Sequence, residues 1–139
     1  GTLTVNARTL TVTATAKSRA YGAANPALTY TYSGAVSGQT PGFTGALACS
    51  ATTTSAPGTY PITQNNLALA NGTNFTASNY TLKFTKGTLT VGKRTITAHA
   101  KNNSKTYDGT ALTQSAGEIT SGSLASGDTI TYSISGTQT

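Results

Sequence analysis

Methionine and tryptophan are absent from these 139 residues, cysteine and histidine occur once each, and only three residues are acidic. Each shortage removes a class of chemistry. A single cysteine, Cys49, permits no intrachain disulfide; within Ala46-Leu-Ala-Cys-Ser-Ala51 it reads as a small buried apolar thiol, with no identifiable partner to activate it. The acids Asp108, Glu118 and Asp128 all follow residue 107, so everything before them lacks a carboxylate. That excludes paired-carboxylate hydrolysis, a carboxylate calcium cage and an Asp-supported triad from the first 107 residues. His99 and Cys49 together fall short of a three-ligand zinc site, and Asp108-Gly109 and Gly127-Asp128 read as turns. A non-enzymatic chain with no metal and no cofactor is expected. No apolar run approaches the roughly 18–20 residues that cross a bilayer, and no signal peptide is present, so no membrane insertion is expected.

What is abundant is strand and turn material: 31 threonines and 15 glycines. Period-2 alternation appears in Leu28-Tyr30-Tyr32, Tyr80-Leu82-Phe84 and Ile130-Tyr132-Ile134, with shorter runs at Leu10-Val12-Ala14, Ile96-Ala98-Ala100 and Tyr60-Ile62. Breaks are expected at residues 22–26, 37–42, 56–58 and Asn71-Gly72, and Lys86-Gly87 reads either as a tight link or as a bulge within one long strand. The fold class is all-β, with a core drawn from Leu10, Val12, Leu28, Tyr30, Tyr32, Tyr60, Ile62, Tyr80, Leu82, Phe84, Leu89 and Val91.

All nine basic residues stand at or before Lys105. Spread over so many positions, with no recognised nucleic-acid motif, they suit solubilised strand faces and protected sheet edges, and no nucleic-acid partner is expected. The one polyanion contact they suggest comprises Lys83, Lys86, Lys93 and Arg94. Asn71, Asn74, Asn79 and Asn102 each open an N-x-Ser/Thr glycosylation sequon.

The chain also repeats itself. Gly1-Thr-Leu-Thr-Val5 recurs as Gly87-Thr-Leu-Thr-Val91, 86 positions later (87 − 1), and the register holds to Tyr21/Tyr107 with 11 identities. A period of this size gives each repeat its own core. Residues 6–92 then form one complete module and 93–139 part of another. Gly1, Thr2, Leu3, Thr4 and Val5 are the closing strand of a preceding module, or a donor strand for β-addition. Tyr21 and Tyr107 are expected to end a strand and fold over a module junction.

The strings "SRAYGAANPALTYTYSG", "GTYPITQ", "NYTLKFTKGTLTV" and "KRTITAHAKNNSKTYDGTALT" resemble an MBG domain of the YGX type followed by a YDG-type domain, which stops after about half its length. The resemblance implies tandem small β-sandwich modules, immunoglobulin-like or a β-grasp variant, in a bacterial extracellular surface or secreted protein such as a filamentous-haemagglutinin-like adhesin. It implies a structural or adhesive role as stalk or spacer. Its partners would be neighbouring modules, identical subunits of a filament, or glycans, and it brings no ligand residues to this chain.

Overall fold

The computed structural model describes residues 1–113 and 116–134. The chain divides into two compact units, Gly1–Gly92 and Lys93–Thr139. Among the described residues, the first unit holds nine strands: β1 (Arg8–Ala14), β2 (Lys17–Ala20), β3 (Tyr30–Ser33), β4 (Thr40–Thr44), β5 (Ala48–Cys49), β6 (Gly58–Thr63), β7 (Ala68–Thr73), β8 (Tyr80–Thr85) and β9 (Gly87–Gly92). Its helical element is one 3-10 turn at Ala77–Asn79. The strands form sheets of order β3-β1-β8, β2-β9-β6-β5 and β4-β7.

One relationship organises the unit. β1 runs parallel to β8, from Arg8 opposite Tyr80 to Thr13 opposite Thr85, and β2 runs parallel to β9, from Lys17 opposite Leu89 to Ala20 opposite Gly92. The partner offset is 72 in both ladders (80 − 8, 89 − 17). The first two and the last two strands are therefore one bent parallel pair that passes from the first sheet into the second without losing register. Lys86-Gly87 is the crossing point of that pair, closer to a kink in a long strand than to a reversal. A Cβ on Gly87 would stand 2.6 Å from the Ala14 carbonyl oxygen, so the crossing requires glycine.

Alternation then places the side chains. On β1, Leu10, Val12 and Ala14 are buried, while Thr9, Thr11 and Thr13 lie on the opposite face, level with Thr81, Lys83 and Thr85 of β8. Leu10 and Val12 join Leu67, Phe75 and Tyr80 in one cluster, covered by Tyr30, Phe43 and Leu82. Ala14, Ala51, Ile62 and Leu89 form a second, covered by Leu28, Cys49 and Tyr60. Phe84 packs against both and joins them. Cys49 is half-buried on β5, as an apolar thiol against the second cluster.

Several expectations are revised. Tyr32 is 44% exposed. It stands opposite Val12, but β3 is an edge strand, and Phe43 covers the ring from one side at 5.8 Å between centroids. Leu28 lies outside the strand expected to contain it, and β3 begins at Tyr30. Asn71-Gly72 does not break a strand but belongs to β7, and Thr40-Pro-Gly42 belongs to β4. The β4–β7 ladder shifts register between Thr40 and Gly42, which seats Pro41 in a bulge where its missing N–H costs no ladder bond. A Cβ on Gly42 or Gly72 would collide with the facing backbone, so the two glycines set how closely β4 and β7 approach.

The second unit repeats the start of the first. β10 (Thr97–Ala100) pairs antiparallel with β11 (Gly117–Ser121), Thr97 opposite Ser121 as Thr11 stands opposite Ser33. Gly34 (φ +101°) leans on Thr9 and Leu10, and Gly122 (φ +78°) leans on Thr95 and Ile96, which stand one repeat period after Thr9 and Leu10. Among the described residues no strand takes β8's place beside β10, and Ala98 and Ala100 are exposed where Val12 and Ala14 are buried, while Ile96, the counterpart of Leu10, is half-buried. The run Ile130–Ile134 keeps alternating burial but forms no ladder among the described residues; Ser135 of that expected strand lies outside them. Following the positive-φ turn at Gly127, it holds the place that β4 holds after Gly38. β4 pairs with β7, which has no counterpart among the described residues of this unit.

Candidate functional site

The segment Arg19-Ala-Tyr-Gly-Ala-Ala-Asn25 leaves β2 and folds back as a clasp. Arg19 Nε donates to Asn25 Oδ1 at 2.7 Å, its Nη1 donates to the Ala20 carbonyl at 3.2 Å, and its Nη2 donates to the Thr52 carbonyl. Asn25 Nδ2 donates to the Ala51 carbonyl at 2.6 Å. Two backbone bonds complete the clasp: Gly22 N–H to the Thr53 carbonyl at 3.2 Å, and Tyr21 N–H to the Gly92 carbonyl at 2.8 Å. Gly22 has φ +79°, which its lack of a Cβ permits. The charged fork thus ties the turn after β2 to the loop before β6, while Tyr21 ties it to the last residue of β9. The Tyr-Gly signature locks the far end of the parallel strand pair.

In the second unit the corresponding turn is closed locally. Asp108 accepts from Lys105 Nζ at 2.8 Å, from the Thr110 N–H at 2.9 Å and from the Thr110 hydroxyl at 2.7 Å. The Lys105 ammonium first, then the two Thr110 donors, hold the Asp108 carboxyl below its ordinary 3.8. This is an Asx-type turn, and among the described residues no three of His, Cys, Asp and Glu gather as metal ligands. Tyr107, expected over a junction, is 89% exposed. It is a single exposed ring.

The basic residues do different things. Lys83 lies on the threonine face of β8, Lys86 is exposed at the strand crossing, and Lys93 is exposed. Arg94 donates from Nη2 to Ser123 Oγ at 2.9 Å, as Arg8 donates from Nε to the Gly34 carbonyl at 2.7 Å one period earlier. Both arginines brace the turn that follows the strand paired antiparallel with their unit's first, β3 in one and β11 in the other. Exposed His99 stands opposite Glu118.

Among the sequon asparagines, Asn71 Oδ1 accepts the Ala77 N–H at 2.9 Å, and Asn74 sits at φ 54° in the turn after β7. Asn79 ends the 3-10 turn, and Asn102 is exposed. A cleft of about 310 Å³ is lined by Asn6, Arg8, Gln39, Asn79 and Tyr80. Much of its polar lining is committed to the fold: the Val36 N–H donates to the Tyr80 hydroxyl at 3.1 Å, and that hydroxyl donates to Gln39 Oε1 at 2.5 Å.

An all-β module whose opening and closing strands are paired, locked by a Tyr-Gly clasp, is what the first unit defines. The family model for the MBG domain (YGX type) matches residues 10–90, from β1 through β9, and the chain belongs to that family. No curated protein and no solved structure matches the chain.

Proposed function

We propose that this chain is a structural repeat segment of an extracellular surface protein, a stalk or spacer whose modules carry tension along the chain. MBG domains are repeat domains of surface proteins, which supports the coarser part of this reading. The observation that carries the finer part is the in-register parallel pairing of β1–β2 with β8–β9. Parallel terminal strands put the module's first and last residues at opposite ends of the pair. Force applied through the chain then shears the ladder bonds together, whereas an antiparallel terminal pair would open one bond at a time. The clasp of Arg19 and Asn25 closes the end of the pair where β9 leaves, which opposes fraying there. A surface of threonine rows, with all nine basic residues and no carboxylate before residue 108, suits a solubilised connecting element better than a reaction centre. Its partners in this reading are neighbouring modules of the array.

Stretching the chain between its ends in a single-molecule instrument tests the proposal. Unfolding residues 8–92 as one unit releases roughly 250 Å of contour length, taking about 3.5 Å per extended residue less about 40 Å for the folded strand pair. One cooperative step of that size supports the reading; gradual lengthening without a resisted step contradicts it.

A further inference from the structure

Asn71 is the one asparagine of this chain that precedes a glycine, and the fold needs both residues of the pair. Its Oδ1 accepts the Ala77 N–H at 2.9 Å and so ties the start of the 3-10 turn to β7. Gly72 is fixed by crowding, because a Cβ there would strike the Thr40 carbonyl oxygen and the Gly42 nitrogen. The same pair is chemically labile. The backbone nitrogen after an asparagine can attack the side-chain amide, and glycine, with no Cβ, hinders that attack least.

Burial does not prevent the reaction here, since Asn71 and Gly72 are both exposed. Hydrogen bonding does. The nucleophile, the Gly72 N–H, donates to the Phe75 carbonyl at 3.0 Å, while the amide it would attack is held toward Ala77. Ring closure also requires the Gly72 nitrogen to rotate to the side-chain branch of Asn71, a turn that the extended backbone of β7 does not make.

We propose that Asn71 is a self-modification site that reacts when the turn between β7 and β8 opens. The Gly72 nitrogen gives its proton to water and bonds to Asn71 Cγ; the Cγ–Nδ2 bond breaks, and Nδ2 leaves as ammonia, taking a proton back. Water then opens the resulting succinimide at either carbonyl, leaving aspartate or isoaspartate in place of Asn71. Asparagine and water become acid and ammonia, with no other reactant. Aspartate keeps an oxygen for the Ala77 N–H, whereas isoaspartate inserts a main-chain atom beside Gly72, where the backbone of Thr40 to Gly42 leaves no room for even a methyl group. A reversible opening thereby becomes permanent. The inference stands apart from the stalk reading, because heat, denaturant and tension expose the same pair.

Peptide mass spectrometry on the full chain, incubated at neutral pH across a denaturant series, tests it. Conversion of Asn71 in buffer is expected to be at least about thirtyfold slower than in the unfolded chain, and to rise along the series with the opened fraction. Equal rates in the folded and unfolded chain overturn the proposal. Ala77→Pro removes the N–H that Asn71 accepts; it opens the 3-10 turn, and Thr76 before it, at φ −108° and ψ 114°, is already close to what a following proline requires. This variant is expected to convert about fivefold faster in buffer, the weight of one hydrogen bond, and at the parent's rate in denaturant. A variant that melts like the parent and converts no faster overturns the proposal, and should it melt early, the parent's denaturant series still decides. Asn71→Asp is expected to refold as the parent does and the isolated isoaspartyl fraction to fail; an isoaspartyl fraction that recovers the parent's melting curve overturns the permanence.

Discussion

Arg19 and Asn25 face each other across the signature turn, Nε to Oδ1 at 2.7 Å, and each also reaches the chain before β6, Arg19 at the Thr52 carbonyl and Asn25 at the Ala51 carbonyl. Removing either side chain leaves carbonyls and one partner unsatisfied. Arg19→Ala is expected to lower unfolding free energy by about 1–3 kcal/mol, and Asn25→Ala by about 1–2 kcal/mol. Because they share one network, the double variant costs less than the sum of the singles. Chemical denaturation of the four proteins measures the coupling; additive losses would dissolve the clasp into independent contacts.

Leu89 and Leu3 form a matched pair with the same neighbours in sequence. Leu89→Ala opens a cavity beside Ile62 and Ala51 and is expected to cost about 2–5 kcal/mol. Leu3→Ala is expected to stay within about 0.5 kcal/mol of the parent. Equal effects at the two positions would contradict the assignment of Gly1–Val5 as unpaired.

Gly87 and Gly92 test the crossing of the strand pair. A methyl group at Gly87 meets the Ala14 carbonyl oxygen at 2.6 Å, while at Gly92 the nearest heavy atom is 3.8 Å away. Gly87→Ala is expected to destabilise by about 1–3 kcal/mol and Gly92→Ala by less than about 0.5 kcal/mol, read from melting curves.

The all-β class was legible from the alternation, and half of the expected core is buried outright: Leu10, Val12, Ile62, Tyr80, Leu89 and Val91. Leu67 and Phe75 escaped because neither lies in an alternating run; Phe75 folds back just after β7 to bridge Gly72 of that strand, and Leu67 immediately precedes it. Glycine and proline misled at β4 and β7, where they mark a bulge and a close approach rather than a turn. The clasp was visible only as a motif. Nothing in "SRAYGAANP" says that its arginine and asparagine reach carbonyls about thirty residues away, since that depends on where β6 begins. Nor could alternation reveal that the strands on either side of Lys86 belong to different sheets.

Asp108 gives the second unit a titratable closure. Its carboxyl titrates below 3.8 because the charged form binds Lys105 and Thr110. The folded value is the lower one, so the turn's contribution is fully present above the ordinary carboxylate range and is lost as pH falls through the depressed value. An NMR titration is expected to show the Asp108 carboxyl midpoint below 3.8, with the Thr110 amide moving alongside it. An ordinary midpoint, or a Thr110 amide indifferent to it, would remove the closure.

The mechanical claim is tested most directly by pulling the same module in two directions. Handles at Ala7 and Gly92 load the parallel pair in shear. Handles at Ala7 and Asn79 pull on the adjacent starts of β1 and β8, where Arg8 stands opposite Tyr80, and open the ladder one bond at a time. At equal loading rate the unfolding force is set by the barrier along each direction. The shear geometry is predicted to require a force several-fold higher, about twofold at the least. Equal forces in the two geometries would show that the parallel strand pair is not what resists tension.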